Sequence, residues 1–207
     1  WTQKADFAGT ATYDAVGFSL NDEGYISCGF DGNYLKDLWQ YDPAEDQWTQ
    51  KASIGGTKRS AAMSFVLDGK AYVCSGNNNG AALNDLWMYD PTANSWTEKR
   101  QLTNVSTDSY DDSYSNIARY NGVAFVMGNY AYITCGESGA LIPDTWQYDP
   151  SSDLWTRKTS FEGTARTGAV AFTLSDRGFV LTGRSGSLSF DNCCEFHPND
   201  AVNANDN

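Results

Sequence analysis

The 207-residue chain carries 26 acidic and 14 basic residues, a formal net charge of −12, and 41% of its residues are hydrophobic. The hydrophobic share can fill a packed core, whereas the negative charge repels phosphate backbones and anionic lipid surfaces, so we expect no nucleic-acid partner. No run of 18 apolar residues is present, and we therefore predict no membrane span. Aromatic residues make up 14% of the chain and glycines number 19, a bias towards strands and turns.

One segment recurs along the chain and sets its organisation. Its four copies, the last of them degenerate, are DLWQYDPAEDQWTQK (37–51), DLWMYDPTANSWTEK (85–99), DTWQYDPSSDLWTRK (144–158) and DNCCEFHP (191–198). The spacing is near 48 residues except between the second and third copies, where about residues 101–117 are extra. We predict a single domain over residues 1–207 with an insertion at 101–117.

Each unit predicts four short antiparallel strands. The second unit shows apolar runs separated by turn residues, with an Asp-Gly hairpin signal at 68–69. Its predicted strands are Ala61–Leu67, Ala71–Ser75, Asp85–Tyr89 and Ser95–Lys99. A small residue in each first strand is followed three positions later by Phe, the taper that the inner strand of a propeller blade needs. These pairs are Ala15/Phe18, Ala62/Phe65, Gly122/Phe125 and Ala169/Phe172.

The two ends of the repeat pattern are incomplete in complementary ways. The last unit predicts strands near Thr167–Leu174, Phe179–Thr182 and Cys193–Phe196 but no fourth. Trp1–Lys4 has the sequence of a fourth strand, WTQK, without the first three. Pairing the two would remove two exposed sheet edges. We therefore predict that Trp1–Lys4 is the outer strand of the last blade and closes a four-bladed ring.

The repeated residues resemble the kelch repeat over nearly the whole chain. The features that carry the resemblance are the Tyr-Asp-Pro turn with Trp five residues on, the aromatic-plus-Gly second strand and the period near 48. The chain is especially similar to bacterial kelch proteins. The resemblance implies an all-β propeller of four-stranded antiparallel kelch blades, of which four units are visible. Kelch rings more often have six blades, so four units forming part of a larger ring is the alternative.

Two features depart from, or add to, the common kelch pattern. Cys28-Gly29 and Ser75-Gly76 stand where many kelch repeats have Gly-Gly. Cys28, Cys74 and Cys135 fall on equivalent strands and are predicted to be buried free thiols. The repeated Asp37, Asp85 and Asp144 are predicted to hydrogen-bond nearby backbone rather than a metal.

The sequence nominates no catalytic residue, no cofactor and no metal site. The single histidine, His197, occupies the Asp position of the degenerate Tyr-Asp-Pro turn, and no Cys/His cluster has metal-ligand spacing. Kelch-type copper-radical oxidases need a histidine pair, which this chain lacks. No GxSxG, GxxxxGK[ST] or HExxH string is present.

The candidate binding residues gather on one predicted face of the propeller. Loops after the second strands, at 30–36, 77–84, 137–143 and 184–190, open on the same face as the insertion. Forked guanidinium groups and tyrosine rings there would suit a carboxylate or sugar. The predicted ligand-binding residues are Arg59, Arg119, Arg166, Tyr13, Tyr34, Tyr110, Asp111, Asp112 and Tyr114. The alternatives are arginines that only bridge the blades and an insertion that is a solvated loop.

The predicted function is a non-catalytic binding or scaffold propeller that recognises a protein or glycan through this face. Such a propeller would suit a component of a larger surface complex. The alternative that the resemblance implies is a sugar-acid isomerase or mutarotase using arginine and acidic residues at the funnel mouth. Similar bacterial chains are usually exported, which implies a periplasmic or cell-surface location.

Overall fold

The computed structural model describes residues 1–102 and 117–200, which form four antiparallel sheets arranged as the blades of a β-propeller. Blade 1 contains β1 (Val16–Leu20), β2 (Glu23–Ser27), β3 (Leu38–Asp42) and β4 (Gln47–Lys51). Blade 2 contains β5 (Met63–Leu67), β6 (Lys70–Cys74), β9 (Leu86–Asp90) and β10 (Ser95–Lys99), and its loop carries β7 (Asn77–Asn78) and β8 (Ala81–Ala82).

Blades 3 and 4 follow the same strand order. Blade 3 contains β11 (Val123–Met127), β12 (Tyr130–Thr134), β13 (Thr145–Asp149) and β14 (Leu154–Lys158). Blade 4 contains β15 (Val170–Leu174), β16 (Arg177–Leu181) and β19 (Cys193–Phe196), and its loop carries β17 (Arg184–Ser185) and β18 (Leu188–Ser189). The predicted all-β propeller of four antiparallel units is confirmed, and the strands predicted in the second unit begin and end within two residues of the observed ones.

The core lies between neighbouring blades. The first strands contact one another in chain order, β1 with β5, β5 with β11 and β11 with β15. Alternate residues of β5 are buried because period-2 apolar positions face the next blade. The predicted phenylalanine of each first strand stacks on an aromatic residue of the second, as Phe65 does on Tyr72 at a ring-centroid distance of 4.8 Å. Small residues allow neighbouring blades to approach each other closely. A Cβ at Gly122, which leads into blade 3, would meet Met63 Sδ of blade 2 at 2.8 Å.

Repeated backbone hydrogen bonds join each blade to the next one. The glycine N–H after each second strand donates to the carbonyl of the arginine that precedes the next first strand: Gly29 to Arg59 (2.9 Å), Gly76 to Arg119 (3.0 Å) and Gly136 to Arg166 (2.8 Å). A second series runs from Ala61 N–H to Asp14 O, from Asn121 N–H to Ala61 O and from Gly168 N–H to Asn121 O. These bonds fix the relative position of neighbouring blades.

The predicted closure by Trp1–Lys4 is wrong. Residues 1–7 form no strand, and blade 4 has three strands among the described residues. Ala5 N–H donates instead to Asp46 Oδ1 at 2.9 Å, which holds this segment on blade 1. Within residues 1–102 and 117–200, no strand of blade 1 contacts a strand of blade 4. Accordingly Phe172 on β15 is 46% exposed, whereas the equivalent Phe65 and Phe125 are each 4% exposed.

The residue directly after each second strand has a left-handed backbone. Cys28, Ser75, Cys135 and Thr182 have φ angles of 63°, 56°, 58° and 59°, and the glycine after each also has positive φ. A left-handed conformation costs roughly 1–2 kcal/mol for a residue with a Cβ, and more for a β-branched one. This geometry explains why the resemblance described above leads one to expect glycine at both positions.

We predict that Thr182→Gly stabilises the protein by about 0.5–1 kcal/mol, because relief of left-handed strain exceeds the entropy cost of glycine. Ser75→Gly is the matched control. The Ser75 hydroxyl donates to Leu83 O at 2.7 Å and accepts from Arg119 N–H at 2.7 Å, so its removal should destabilise by about 1–2 kcal/mol. Urea unfolding of both variants tests this, and shifts of the same sign would contradict it.

Candidate functional site

All four blades extend at the same end into a short sheet that carries the loops. The residue leading into each first strand forms an antiparallel bridge with the loop after the second strand: Tyr13 with Phe30, Ser60 with Asn77, Tyr120 with Glu137 and Thr167 with Arg184. We call this end the loop face, defined as these lead-in residues and the loops at 30–36, 77–84, 137–143 and 184–190. The loop positions are therefore set by strand pairing.

Two of the predicted tyrosines meet at the loop face of blade 1. The Tyr13 ring lies 5.6 Å from the Phe30 ring, which lies 4.9 Å from the Tyr34 ring. Tyr13 is 62% exposed and Tyr34 is half-buried. Phe30 is not among the residues predicted from the sequence, although its place directly after Cys28-Gly29 marks it as the first loop residue. These three rings form an aromatic cluster in which Tyr13 is exposed and Phe30 and Tyr34 are half-buried.

The described ends of the insertion are anchored beside the loop face. Leu102 N–H donates to Asn84 O at 2.7 Å, at the end of the 77–84 loop. Ile117 O accepts from Arg119 Nε at 2.9 Å, and both Leu102 and Ile117 are buried. The insertion thus leaves and rejoins the fold next to this face. The predicted site residues within it, which lie outside the described residues, are Tyr110, Asp111, Asp112 and Tyr114.

The three predicted arginines do not form an exposed ring. Arg59, Arg119 and Arg166 are at most 1% exposed. The Arg59 guanidinium binds both oxygens of Asp85, each at 2.6 Å, and also donates to Ser75 O at 2.9 Å. Such a buried, doubly hydrogen-bonded pair leaves little of the guanidinium free for a ligand.

The other two arginines are enclosed in the same way. Arg119 donates to Cys135 O at 3.0 Å and to Asp144 O at 2.7 Å. Burial lowers the pKa of Arg119 to about 10, so it stays charged at neutral pH. Arg166 donates to Thr182 O and to Asn192 Oδ1, and its guanidinium carbon lies 4.6 and 4.3 Å from two phenylalanine ring centroids. For all three arginines, the geometry favours the alternative that they stabilise the blades rather than bind a ligand.

The repeated aspartates accept from side chains rather than from the predicted nearby backbone. Asp37 accepts from the Trp39 indole at 2.7 Å, and Asp85 accepts from the Trp87 indole at 2.7 Å as well as from Arg59. Asp144 accepts from Arg157 and Ser160. Asp37 and Asp85 thus orient the tryptophan of their third strand, whereas Asp144 joins its blade to Arg157 and Ser160, so each aspartate has a structural role.

The comparisons with known proteins agree with this repeated architecture. A family model described as the KLHDC2/KLHL20/DRC7 Kelch-repeats domain matches residues 10–183. The chain belongs to the kelch-repeat family. Among solved structures, this kelch chain is similar to one described as the structure of YjhT, with a TM-score of 0.71 and 19% sequence identity. The alignment covers 93% of this chain and 67% of that one, a likeness of fold alone. The search of curated proteins gave no match.

Three of the kelch chain's cysteines are buried, as predicted: Cys74 is the last residue of β6, and Cys28 and Cys135 directly follow β2 and β12. Burial raises the pKa of Cys28 and Cys135 to about 11 and that of Cys74 to about 12, whereas Cys193 is exposed. A thiol kept protonated is a poor nucleophile and a poor metal ligand. Within the described residues, no group of three or more His, Cys, Asp and Glu side chains is placed to hold a metal ion.

No helix in the described part of the kelch chain has both the length and the apolar character that crossing a membrane requires.

We predict that Arg59→Ala lowers the free energy of unfolding by about 3–5 kcal/mol, because Asp85 would become a largely buried charge without its partner. Arg157→Ala is the control, since Arg157 also binds a repeated aspartate but has an exposed side chain. Its loss should cost at most about 1 kcal/mol. Chemical denaturation of both variants is the measurement. Equal, small effects would show that the buried pair does not support the blade.

We also predict a fall in stability at alkaline pH. The unfolded thiols lose protons near pH 9, whereas the folded ones keep them to about pH 11, so the free energy of unfolding should decrease as pH rises from 9 to 11. Native alkylation at pH 8 should modify Cys28 at least about 100-fold more slowly than the exposed Cys193, because Cys28 is enclosed and burial raises its pKa. Mass spectrometry after timed alkylation measures this, and equal labelling would refute the assignment of buried thiols.

Proposed function

We propose that this kelch propeller is a non-catalytic binding scaffold that recognises a partner protein through the loop face carrying the 101–117 insertion. Kelch propellers generally bind proteins. The observation that carries the proposal is the aromatic cluster of Tyr13, Phe30 and Tyr34, whose Tyr13 ring is exposed at the end of the blades where the loops gather and the described ends of the insertion are anchored. Exposed aromatic residues on a rigid frame are typical of interface anchors.

The loop face is held in shape before any partner arrives. The Ala61 N–H to Asp14 O bond joins blades 2 and 1 directly beside Tyr13. Between blades 3 and 4, Glu137 Oε1 accepts from Asn121 at 3.1 Å and from Thr167 at 3.0 Å. A surface whose loops are already ordered loses less conformational entropy on binding. These contacts support a docking surface rather than a flexible rim.

A glycan is the second kind of partner predicted for the loop face. Tyrosine rings and the amide groups of the Asn77–Asn79 segment would suit a sugar, but a glycan site needs a concave surface, and nothing in the described loop face favours one. The isomerase alternative would need accessible guanidinium groups, and Arg59, Arg119 and Arg166 are buried. No observation supports that reaction here. Export to the periplasm or cell surface stays a prediction.

We predict that a photo-crosslinking residue placed at Tyr13 captures a protein partner, because that ring is exposed within the aromatic cluster. The same residue at Tyr130, 39% exposed at the opposite end of the blades, is the control. With the captured partner purified, Tyr13→Ala should weaken binding at least about tenfold, as expected for an interface anchor, and Tyr130→Ala should change it less than twofold.

The results of these experiments test the loop-face proposal and distinguish a protein partner from a glycan. Equal capture from both positions, or unchanged affinity of the Tyr13→Ala variant, would contradict the loop-face proposal. A glycan array run with the same variants decides between partner classes. Saturable glycan binding that is lost in Tyr13→Ala would replace the protein partner with a carbohydrate.

A further inference from the structure

The rings of the aromatic cluster form corners rather than a flat patch. Tyr13 N–H donates to Phe30 O at 3.1 Å, Phe30 N–H donates to Tyr13 O at 2.9 Å, and Phe30 also forms a bridge with Tyr34. Directly paired residues of antiparallel strands project to the same side, so all three rings stand on one side of this small sheet. The planes of neighbouring rings meet at 64° and 68°. A group placed in such a corner contacts more than one ring.

The charged residues nearest to these rings along the chain are both acidic. Asp14 directly follows Tyr13, Asp31 directly follows Phe30, and both aspartates are exposed. Asp31 Oδ1 accepts from Asn33 N–H at 2.8 Å, which holds this carboxylate in the turn that follows Phe30. Each of the two corner-forming rings at this end of blade 1 therefore has a carboxylate as its immediate neighbour in the chain.

The basic residues of the same region are either paired or lie beyond the cluster. Leu35 forms a bridge with Arg59, whose guanidinium is buried and bound to a carboxylate. The antiparallel register of that bridge places Lys36 and Lys58 on the side away from Tyr34. The aromatic cluster is thus a locally negative part of the loop face, in a chain whose net charge is −12.

Ring faces and carboxylates attract the same kind of group. The face of an aromatic ring carries the negative part of its quadrupole, so it binds cations, and desolvated corners of several rings bind them best. This protein already places a guanidinium on aromatic faces in blade 4, where the carbon of Arg166 lies 4.6 Å from the Phe161 centroid and 4.3 Å from that of Phe190. At the aromatic cluster the rings and carboxylates are present without such a guanidinium among the described residues.

We propose that the aromatic cluster anchors an arginine side chain of the partner protein, with the guanidinium on the rings and its N–H groups donating to Asp14 and Asp31. A guanidinium fits better than an ammonium because it is planar, more weakly hydrated and able to stack on a ring while it binds a carboxylate. This inference rests on the function proposed for the loop face and adds the chemistry of the partner, which presents a basic segment there.

The probe is N-acetyl-arginine amide, titrated into the full chain labelled with fluorotyrosine and followed by fluorine NMR. N-acetyl-citrulline amide is the matched control, because citrulline has nearly the shape of arginine without its charge. We expect the Tyr13 and Tyr34 resonances, assigned from Tyr→Phe variants, to shift saturably with the arginine probe. The citrulline probe should bind at least fivefold more weakly, and the Tyr130 resonance at the opposite end of the blades should not move.

A pair of isosteric variants tests the carboxylates without removing a ring. Asp14→Asn combined with Asp31→Asn keeps an oxygen that can accept from Asn33 N–H, and asparagine suits the left-handed φ of 54° at residue 14. This variant should bind the arginine probe at least threefold more weakly. The control combines Asp22→Asn with Asp68→Asn, two exposed aspartates with φ of 63° and 51° in hairpin turns at the opposite end, and should bind as the wild type does.

Three results would overturn the inference. They are no saturable shift with the arginine probe, equal affinity for the citrulline probe, and a loss in the Asp14/Asp31 variant no greater than in its control. The last result would mean that the probe is attracted only by the net charge of the chain. The proposed function is tested separately by the affinity of the Tyr13→Ala variant for the captured partner, so a loop face that binds a protein without an arginine anchor is distinguishable.

Discussion

The hydrogen bond from a glycine N–H to the carbonyl of the next blade's arginine is the contact on which the rest of the structure depends. The same arginine turns its guanidinium back to the second strand of its own blade, as Arg59 does to Ser75 O. One residue thereby joins two blades and the start of the loop. The glycine reaches that carbonyl only because the residue before it is left-handed, so strain at Ser75 is part of the joint.

This joint also explains why the arginines are unavailable to ligands. A guanidinium that satisfies carbonyls at the centre of a blade interface must be buried, and burial of a charge requires the near-complete pairing that Asp85 gives Arg59. The surface proposed for binding consequently lies outside the joint, in the loops that the joint positions. In that proposal the contacts to a partner come from residues such as Tyr13 and Phe30, whose side chains form no hydrogen bond between blades in the described structure.

The repeat period and the strands could be predicted from the sequence because they are local or periodic properties. Burial of Arg59 could not, since a single charged residue at a strand start has the same local pattern whether its side chain faces solvent or an interface. The prediction of ring closure by Trp1–Lys4 was wrong for a different reason. Complementary strand sequences show which segments can pair, whereas the arrangement of the blades decides whether Trp1–Lys4 comes near β19. Phe30 was missed because its partner Tyr13 is distant in sequence. That residues 1–207 form one domain stays a prediction.

The degenerate fourth copy shows how a blade can lose its signature residues and keep its fold. Asn192 replaces the aspartate but still accepts from Arg166 at 2.7 Å, so the hydrogen bond remains while the countercharge is lost. The faces of Phe161 and Phe190 lie against the guanidinium and offer it a cation–π environment instead. Cys194 has no such substitute among the described residues, because none of their side chains fills the volume of an indole beside it, and a cavity results. The buried guanidinium of blade 4 is therefore compensated for the aspartate that Asn192 replaces, whereas the volume of the tryptophan that Cys194 replaces is not.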